Sequence, residues 1–489
     1  MRLNYLAYSF GLTMIYFGLL VCMPIVVALL YQEFSSILPF LITAILSVCI
    51  GLLIKKIGNL NGGLKNLNDI KKSEGLFVVA LSWVLAGIIA AIPYLFYGLS
   101  PINALFESVS GITTTGATVL THFDYPHTVM FWRSFTQWLG GMGIIILFIA
   151  ILPQFAVAGR QMFFAEAPGP TEDKFTPRIR NTASSLWIVY VGLTILEIIC
   201  LSIAGMPIFD AICNSLSTIA AGGFSPNPDS VMGYSSNYIT WIILIFIFLA
   251  GSSFNLQHRA YTKFNPLLLF KNEEFRAYLG VFLGISFLVA ISLMINSHYG
   301  LFDAITHGCY QVIAIMTSTG SVSTNYIEWD FTSQVLLFIA SFTGGCASSA
   351  AGGIKIVRWV LFLKIMKREI KKILHPNAVL NIKINDTIIQ RDVLTQTILF
   401  IMFYIIITMI SILLIAIIEK NIVLAISSSV SAIGNIGPGF GSIIGPMGNF
   451  DSLHCSSKII LIFNMLIGRL ELIPFLVFLE RDFYHFKVD

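Results

Sequence analysis

Along most of this chain apolar residues do not alternate with polar ones; they run in blocks. Ten blocks are long, roughly 5–30, 36–54, 76–97, 128–151, 182–203, 238–255, 278–295, 332–366, 395–418 and 459–479. A helix of about 20 apolar residues crosses the hydrocarbon core of a bilayer. The pattern therefore predicts an all-α membrane protein with ten spans. The first block is too long for the apolar core of a cleavable leader and carries no A-x-A site. The eighth is too long for one span. It is interrupted by Thr343, Gly344, Gly345, Cys346, Ala347, Ser348, Ser349, Ala350, Ala351, Gly352 and Gly353, a run of small residues that makes a poor helix.

Four further apolar segments, about 103–114, 209–221, 307–318 and 423–435, are too short to cross. A helix of about 12 residues spans about 18 Å against a core of about 30 Å. Each ends in a glycine-containing string, so each reads as a re-entrant half-helix. Irregular backbone at membrane depth is tolerated only inside protein or beside a watery cavity. The four segments are repeats of one another. Aligned on Gly116, Gly223, Gly320 and Gly437, which stand 107, 97 and 117 residues apart, they share residue types upstream. Twelve residues back stand Ala104, Ala211, Gly308 and Ala425; nine back, the polar Glu107, Asn214, Gln311 and Ser428; six back, Ser110, Ser217, Ala314 and Ser431. The repeat is span, half-helix, glycine loop, span. It divides the chain into an N-terminal two-helix hairpin (1–75) and four pore repeats (76–181, 182–277, 278–392 and 393–489), the third with a broken second helix.

Composition sharpens this. Hydrophobic residues make up 56% of the 489 and charged residues 11%, and the mean hydropathy is +0.84. A soluble fold could not hide that much apolar surface, which excludes an ordinary soluble enzyme and a disordered chain. The seven cysteines are scattered without a CxxC pair, which argues against a disulfide framework or a zinc site. Loops 55–72, 160–180, 259–276 and 355–391, with both termini, hold 25 of the 29 Lys and Arg. These are every second loop, so the positive-inside rule places them, and both chain ends, in the cytoplasm. The opposite side has Arg133, Lys420 and Lys458, and Arg469 lies inside an apolar span.

The candidate chemistry lies in the glycine strings: Thr114, Thr115, Gly116; Ala221, Gly222, Gly223; Ser318, Thr319, Gly320; and Asn435, Ile436, Gly437. Four alike strings behind four alike half-helices suggest a ring of main-chain carbonyls, which can replace the water around a monovalent cation. The negative C-terminal ends of the half-helices would add to the attraction. No ring of Asp or Glu stands at these positions, as a divalent-selective pore would want. One such string alone would more simply let helices pack closely; four in register point to a filter. Arg469, ten residues into the last span, reads as a positive barrier facing the pore, as a structural partner of Glu471 or Glu197, or as a charge snorkelling to an interface. The Gly344–Gly353 stretch reads either as a movable gate or as a tight kink.

With these residues in view the chain resembles the membrane subunits of the Trk/Ktr/HKT potassium-transporter superfamily, most closely the TrkH type, over nearly its whole length. Residues 164–180 look like the Trk cytoplasmic loop, and Gly468-Arg469-Leu470-Glu471 resembles the signature of the last span. The extra N-terminal hairpin fits the Trk branch. The resemblance implies a potassium-uptake transporter or channel of the bacterial inner membrane, a homodimer with one pore per subunit. It implies potassium ions at the string residues, glycine at 116 favouring potassium over sodium, and Arg469 in the pore. It also implies a TrkA-type cytosolic RCK subunit that binds the regulatory nucleotide (ATP/ADP or NAD). The chain itself has no GxGxxG or Walker A string, so no cofactor of its own and no nucleic-acid partner are expected. The second repeat departs from the threonine-rich pattern, reading Ala220-Ala221-Gly222-Gly223.

Two rival functions remain open to the sequence. A symporter coupling potassium to protons or sodium by alternating access would need a buried relay, for which Glu197 and Glu471 are thin material. A membrane-embedded hydrolase would need a nucleophile beside a base, and the serines here have no His or Asp near them. Asp210, Asp303 and Glu107 are expected at the outer starts of half-helices, as caps or dipole partners. The basic stretch 364–383 is the positive-inside signal, or a contact for anionic lipid or the regulatory subunit.

Overall fold

The computed structural model describes residues 3–60, 72–143, 179–378, 380–385 and 387–470. Within them the regular structure is helical, apart from short 3-10 turns and one antiparallel ribbon, Lys383–Ile384 with Thr387–Ile388. An N-terminal hairpin comprises α1 (Leu3–Leu20), α2 (Met23–Leu30) and α3 (Ile37–Leu60). Then one pattern recurs: a long helix, a short helix, an irregular segment, a helix. It runs through α4 (Lys72–Leu95), α5 (Pro101–Ile112) and α6 (His127–Gly141), and again through α7 (Ile179–Ile203), α8 (Ile208–Ile219) and α9 (Asn237–Gly251). After α10 (Phe254–Thr262) and α11 (Leu267–Lys271) it returns as α12 (Glu273–Asn296), α13 (Leu301–Met316) and α14 (Phe331–Ala340), with α15 (Ile356–Leu374) following. It ends with α16 (Arg391–Glu419), α17 (Ile422–Gly434) and α18 (Cys455–Arg469).

Among the described residues six helical stretches are long and apolar enough to cross a membrane, and α9 with α10 makes seven if taken as one span bent by 98°. This is a helical membrane protein. The other expected spans differ for identifiable reasons. The blocks at 128–151 and 459–479 begin as the 15-residue α6 and α18 and continue outside the described residues. The block at 332–366 is two helices, α14 and α15, because its small residues form an irregular loop instead of a helix. The block at 238–255 stops as a helix at Gly251, where Ser252 turns extended.

The hairpin is held by close backbone approach. A Cβ on Gly11 would lie 2.6 Å from Gly51 O and from Lys55 N, and one on Gly58 would lie 2.7 Å from Asn4 O. Ser47 Oγ donates across the same seam to Met14 O at 2.7 Å. Small residues at such crossings let helices in lipid gain van der Waals contact. The hairpin packs on α4 and α6, and it also reaches the start of α6 through Glu33. Its carboxylate accepts from His127 N at 2.8 Å, Thr128 N at 3.0 Å and Thr128 Oγ1 at 2.6 Å. The two main-chain N–H groups are orphan donors at the start of α6. Burial raises the Glu33 pKa, but the bonds from Thr128 and His127 outweigh it and hold the carboxyl below its ordinary value.

Overpacking a tight seam costs about 1–3 kcal/mol. Gly51→Leu should therefore lower the melting temperature in detergent. Gly280→Leu, on a helix face where a Cβ meets nothing within 4 Å, should not. Equal melting temperatures for the two would overturn the seam.

Candidate functional site

Each short helix ends in the same way. Thr115 N donates to Ser110 O at 2.8 Å, Gly222 N to Ser217 O at 2.8 Å, Thr319 N to Ala314 O at 2.8 Å and Ile436 N to Ser431 O at 2.9 Å. One residue earlier, Thr114, Ala221, Ser318 and Asn435 each bond back three residues. Their φ values are 55°, 55°, 57° and 54°. This is the Schellman closure, built on a non-glycine residue in the left-handed region. It satisfies two late helix carbonyls and reverses the chain. Two residues on, Gly116, Gly223, Gly320 and Gly437 are left-handed again, with φ of 81°, 75°, 68° and 100°. Alternating the hand of the backbone lines up main-chain dipoles on one side of a short segment.

The four segments meet in a closed ring. A Cβ on Gly116 would strike Gly222 O; on Gly223, Thr319 O; on Gly320, Ile436 O; and on Gly437, Thr115 O. Each glycine thus lies against the carbonyl that precedes the next glycine, and the fourth returns to the first. Only glycine combines the positive φ with this approach. Around the ring runs a second set of links. Arg133 Nη1 donates to Ser225 O at 3.3 Å, Met232 N to Val322 O at 3.0 Å, Tyr326 Oη to Gly439 O at 2.8 Å and Phe450 N to Thr118 O at 2.8 Å.

The small-residue loop between α14 and α15 touches this ring. Gly352 N donates to Ser318 Oγ at 2.5 Å, and a Cβ on Gly352 would lie 2.7 Å from Gly434 O. The neck is closed by Gly344 N to Ile354 O at 2.7 Å and Ile356 N to Gly345 O at 3.0 Å. Cys346 N and Ala350 N donate to Gly251 O and Ala250 O at 2.8 and 3.2 Å, and Ser348 O accepts from Phe254 N at 3.0 Å. The loop therefore supplies partners at the break between α9 and α10. Ala347 N donates to the buried Glu274 carboxylate at 2.5 Å. Lys355 Nζ donates to Ala351 O at 2.6 Å and to Ser349 O at 3.4 Å. Arg469 binds the loop too. Its Nη1 donates to Ala350 O at 2.9 Å, and its Nη2 to Gly140 O and Gly141 O at 2.7 and 2.9 Å, at the C-terminal end of α6.

The TrkH family, described as cation transport proteins, matches residues 65–484. The chain belongs to the TrkH family. It is 36% identical to the Trk system potassium uptake protein TrkH of Salmonella typhimurium, over 97% of this chain and 98% of that one. It is 32% identical to the Trk system potassium uptake protein TrkG of Escherichia coli, over 94% of each chain. The crystal structure of the potassium transporter TrkH from Vibrio parahaemolyticus superposes with a TM-score of 0.88 and 31% identity, covering 99% of this chain and 100% of that one.

In this TrkH-family chain two sequence expectations need correcting or completing. Asp210 and Asp303 do lie in the first turns of α8 and α13. Glu107 does not start its helix; it stands in the second half of α5 and is fully buried. Its carboxylate takes Arg133 Nε at 2.8 Å and Val119 N at 2.9 Å. Arg133, read from the sequence as an outer-side charge, is 2% exposed and stacks 4.1 Å over the Phe224 ring. The signal that could have found it is polar spacing. Arg133 and Gln137 stand four apart in an apolar block, on one helix face, and intramembrane polar residues have partners by default. Glu471 and the loop signature at 164–178 lie outside the described residues.

Removing one partner of a buried pair costs about 3–5 kcal/mol, because the other charge is left unpaired. Glu107→Leu should thus lower the detergent melting temperature sharply. Glu107→Leu with Arg133→Met should recover part of it. A double variant as unstable as the sum of its single variants would show that the two residues act independently.

Proposed function

We propose that this chain is the membrane subunit of a Trk-type potassium-uptake system in a bacterial plasma membrane, a channel-like path that potassium enters down the membrane potential. The observation that carries this is the closed glycine–carbonyl ring. Four main-chain carbonyls converging from four equivalent segments suit a dehydrated monovalent cation, and no carboxylate ring is there to favour a divalent one. The short helices direct their negative ends toward the same place. The names of the relatives in Salmonella and Escherichia support potassium as the ion.

On this reading the chain has ten spans and four re-entrant half-helices, arranged as a hairpin (1–75) and four repeats (76–181, 182–277, 278–392 and 393–489), with both ends in the cytoplasm. Potassium binds at Thr114–Gly116, Ala221–Gly223, Ser318–Gly320 and Asn435–Gly437. It then meets the Arg469 guanidinium and the Gly344–Gly353 loop. Arg469 repels a resting cation and ties the loop shut through Ala350; opening releases that bond. A potential of 100 mV, negative inside, supplies about 2.3 kcal/mol per charge. A cytosolic nucleotide-binding subunit of the TrkA type controls the loop, and two copies of the chain form a homodimer with a pore in each.

The test is rubidium uptake into proteoliposomes under an imposed inside-negative potential. Uptake that saturates, is competed by potassium and follows the potential supports the reading; uptake that follows a proton or sodium gradient instead replaces it with symport. Gly116→Ser pushes a side chain into the Gly222 carbonyl and should let sodium through; an unchanged potassium-to-sodium ratio would sink the ring as filter. Arg469→Ala should raise rubidium flux. Unchanged or lower flux in a folded variant removes Arg469 from the barrier.

A further inference from the structure

The ring is regular, but its supports are not. In the first and third repeats, threonine precedes the ring glycine and pairs with the threonine two residues back: Thr113 with Thr115 at 2.8 Å, and Thr317 with Thr319 at 2.9 Å. In the second repeat these positions are Ala220 and Gly222, and no such pair can form. Gln137, fully buried on α6, stands in for it. Its Nε2 donates to Gly222 O at 2.7 Å and its Oε1 accepts from Phe224 N at 3.1 Å. A carbonyl only accepts and a main-chain N–H only donates, so these two bonds fix the orientation of the side-chain amide. Gly222 makes room for it: a Cβ there would lie 2.5 Å from Gln137 Cδ.

Gly222 O is one of the four ring carbonyls. Among the described residues, no hydrogen bond from a protein donor reaches the other three, Thr115 O, Thr319 O and Ile436 O. The geometry points to Gln137 as a specificity-determining residue of the ring, an inference that rests on the filter reading above. By engaging Gly222 O it lowers the field of that carbonyl, and by clamping residues 222–224 it fixes how near the second segment stands to its neighbours. The number and field strength of the carbonyls are what separate potassium from sodium, and a weaker, wider ring favours the larger ion.

The test uses the purified full-length chain in detergent, at constant ionic strength with choline as the replacement cation. The readout is the concentration of KCl or of NaCl that gives half-maximal thermal stabilisation, since an ion bound to the folded state raises the melting temperature. This reads ion binding whether or not the gate is open. The parent should prefer potassium; no preference in the parent overturns the filter reading itself. Gln137→Met, similar in size without the amide, should lower the potassium-to-sodium preference about three- to tenfold, the worth of one net hydrogen bond. Gln137→Glu keeps the acceptor for Phe224 N and loses the donor, and should lower the preference as well. Gly222→Ser should impair the parent but restore part of the preference in a Gln137→Ala background, where the space is free. If the preference stays at the parent value in both single variants at 137 while only the melting temperature falls, Gln137 merely packs α6 and the inference is wrong. It is equally wrong if the Gly222→Ser and Gln137→Ala changes combine additively.

Discussion

Buried main-chain polar groups must find partners inside the protein, and this molecule is organised by how it meets that demand where its helices stop. Four helices end short, one span is broken at Gly251, and one stretch between α14 and α15 is not helical. Each of these ends has main-chain partners. The short helices close on themselves through paired backward bonds, and the break at Gly251 takes its donors from the loop. The loop in turn is held by Glu274, Ser318 and Arg469. The interior thus becomes one connected network in which the ring, the loop and the guanidinium share partners.

Much of this was legible in the sequence, for a physical reason. A backbone that must adopt positive φ and lie against a neighbouring carbonyl can carry only glycine, so Gly116, Gly223, Gly320 and Gly437 stand out by type and spacing. The structure brings them into one ring. The run from Gly344 to Gly353 was legible because so many small residues cannot sustain a helix. What could not be read was pairing between residues far apart along the chain. Glu107 and Arg133 are 26 residues apart, and Gln137 reaches Gly222 over 85. Hydropathy averages over such residues, and nothing in one sequence says which polar side chain answers which. For the same reason Glu107 passed for a helix start when it anchors a buried pair.

Two arginines inside the molecule tie separate elements together. Arg133 is neutralised locally by a carboxylate and shielded by aromatic faces. Arg469 binds carbonyls belonging to two different elements, the end of α6 and the loop. These bonds couple the helix end to the loop through a planar, several-donor geometry that lysine could not reproduce.

The four quarters of the ring reach one shape by different means: threonine pairs in two of them, a borrowed glutamine in another, and in the last Asn435, whose amide spans Thr115 Oγ1 and Met465 O. A ring assembled from four copies of one short chain would have to alter all four supports at once, since every mutation would be repeated around the axis. Joining the quarters end to end in a single polypeptide removes that restriction. Each corner can then be tuned alone, in steps a quarter as large, and a ring that looks symmetric can be given uneven walls.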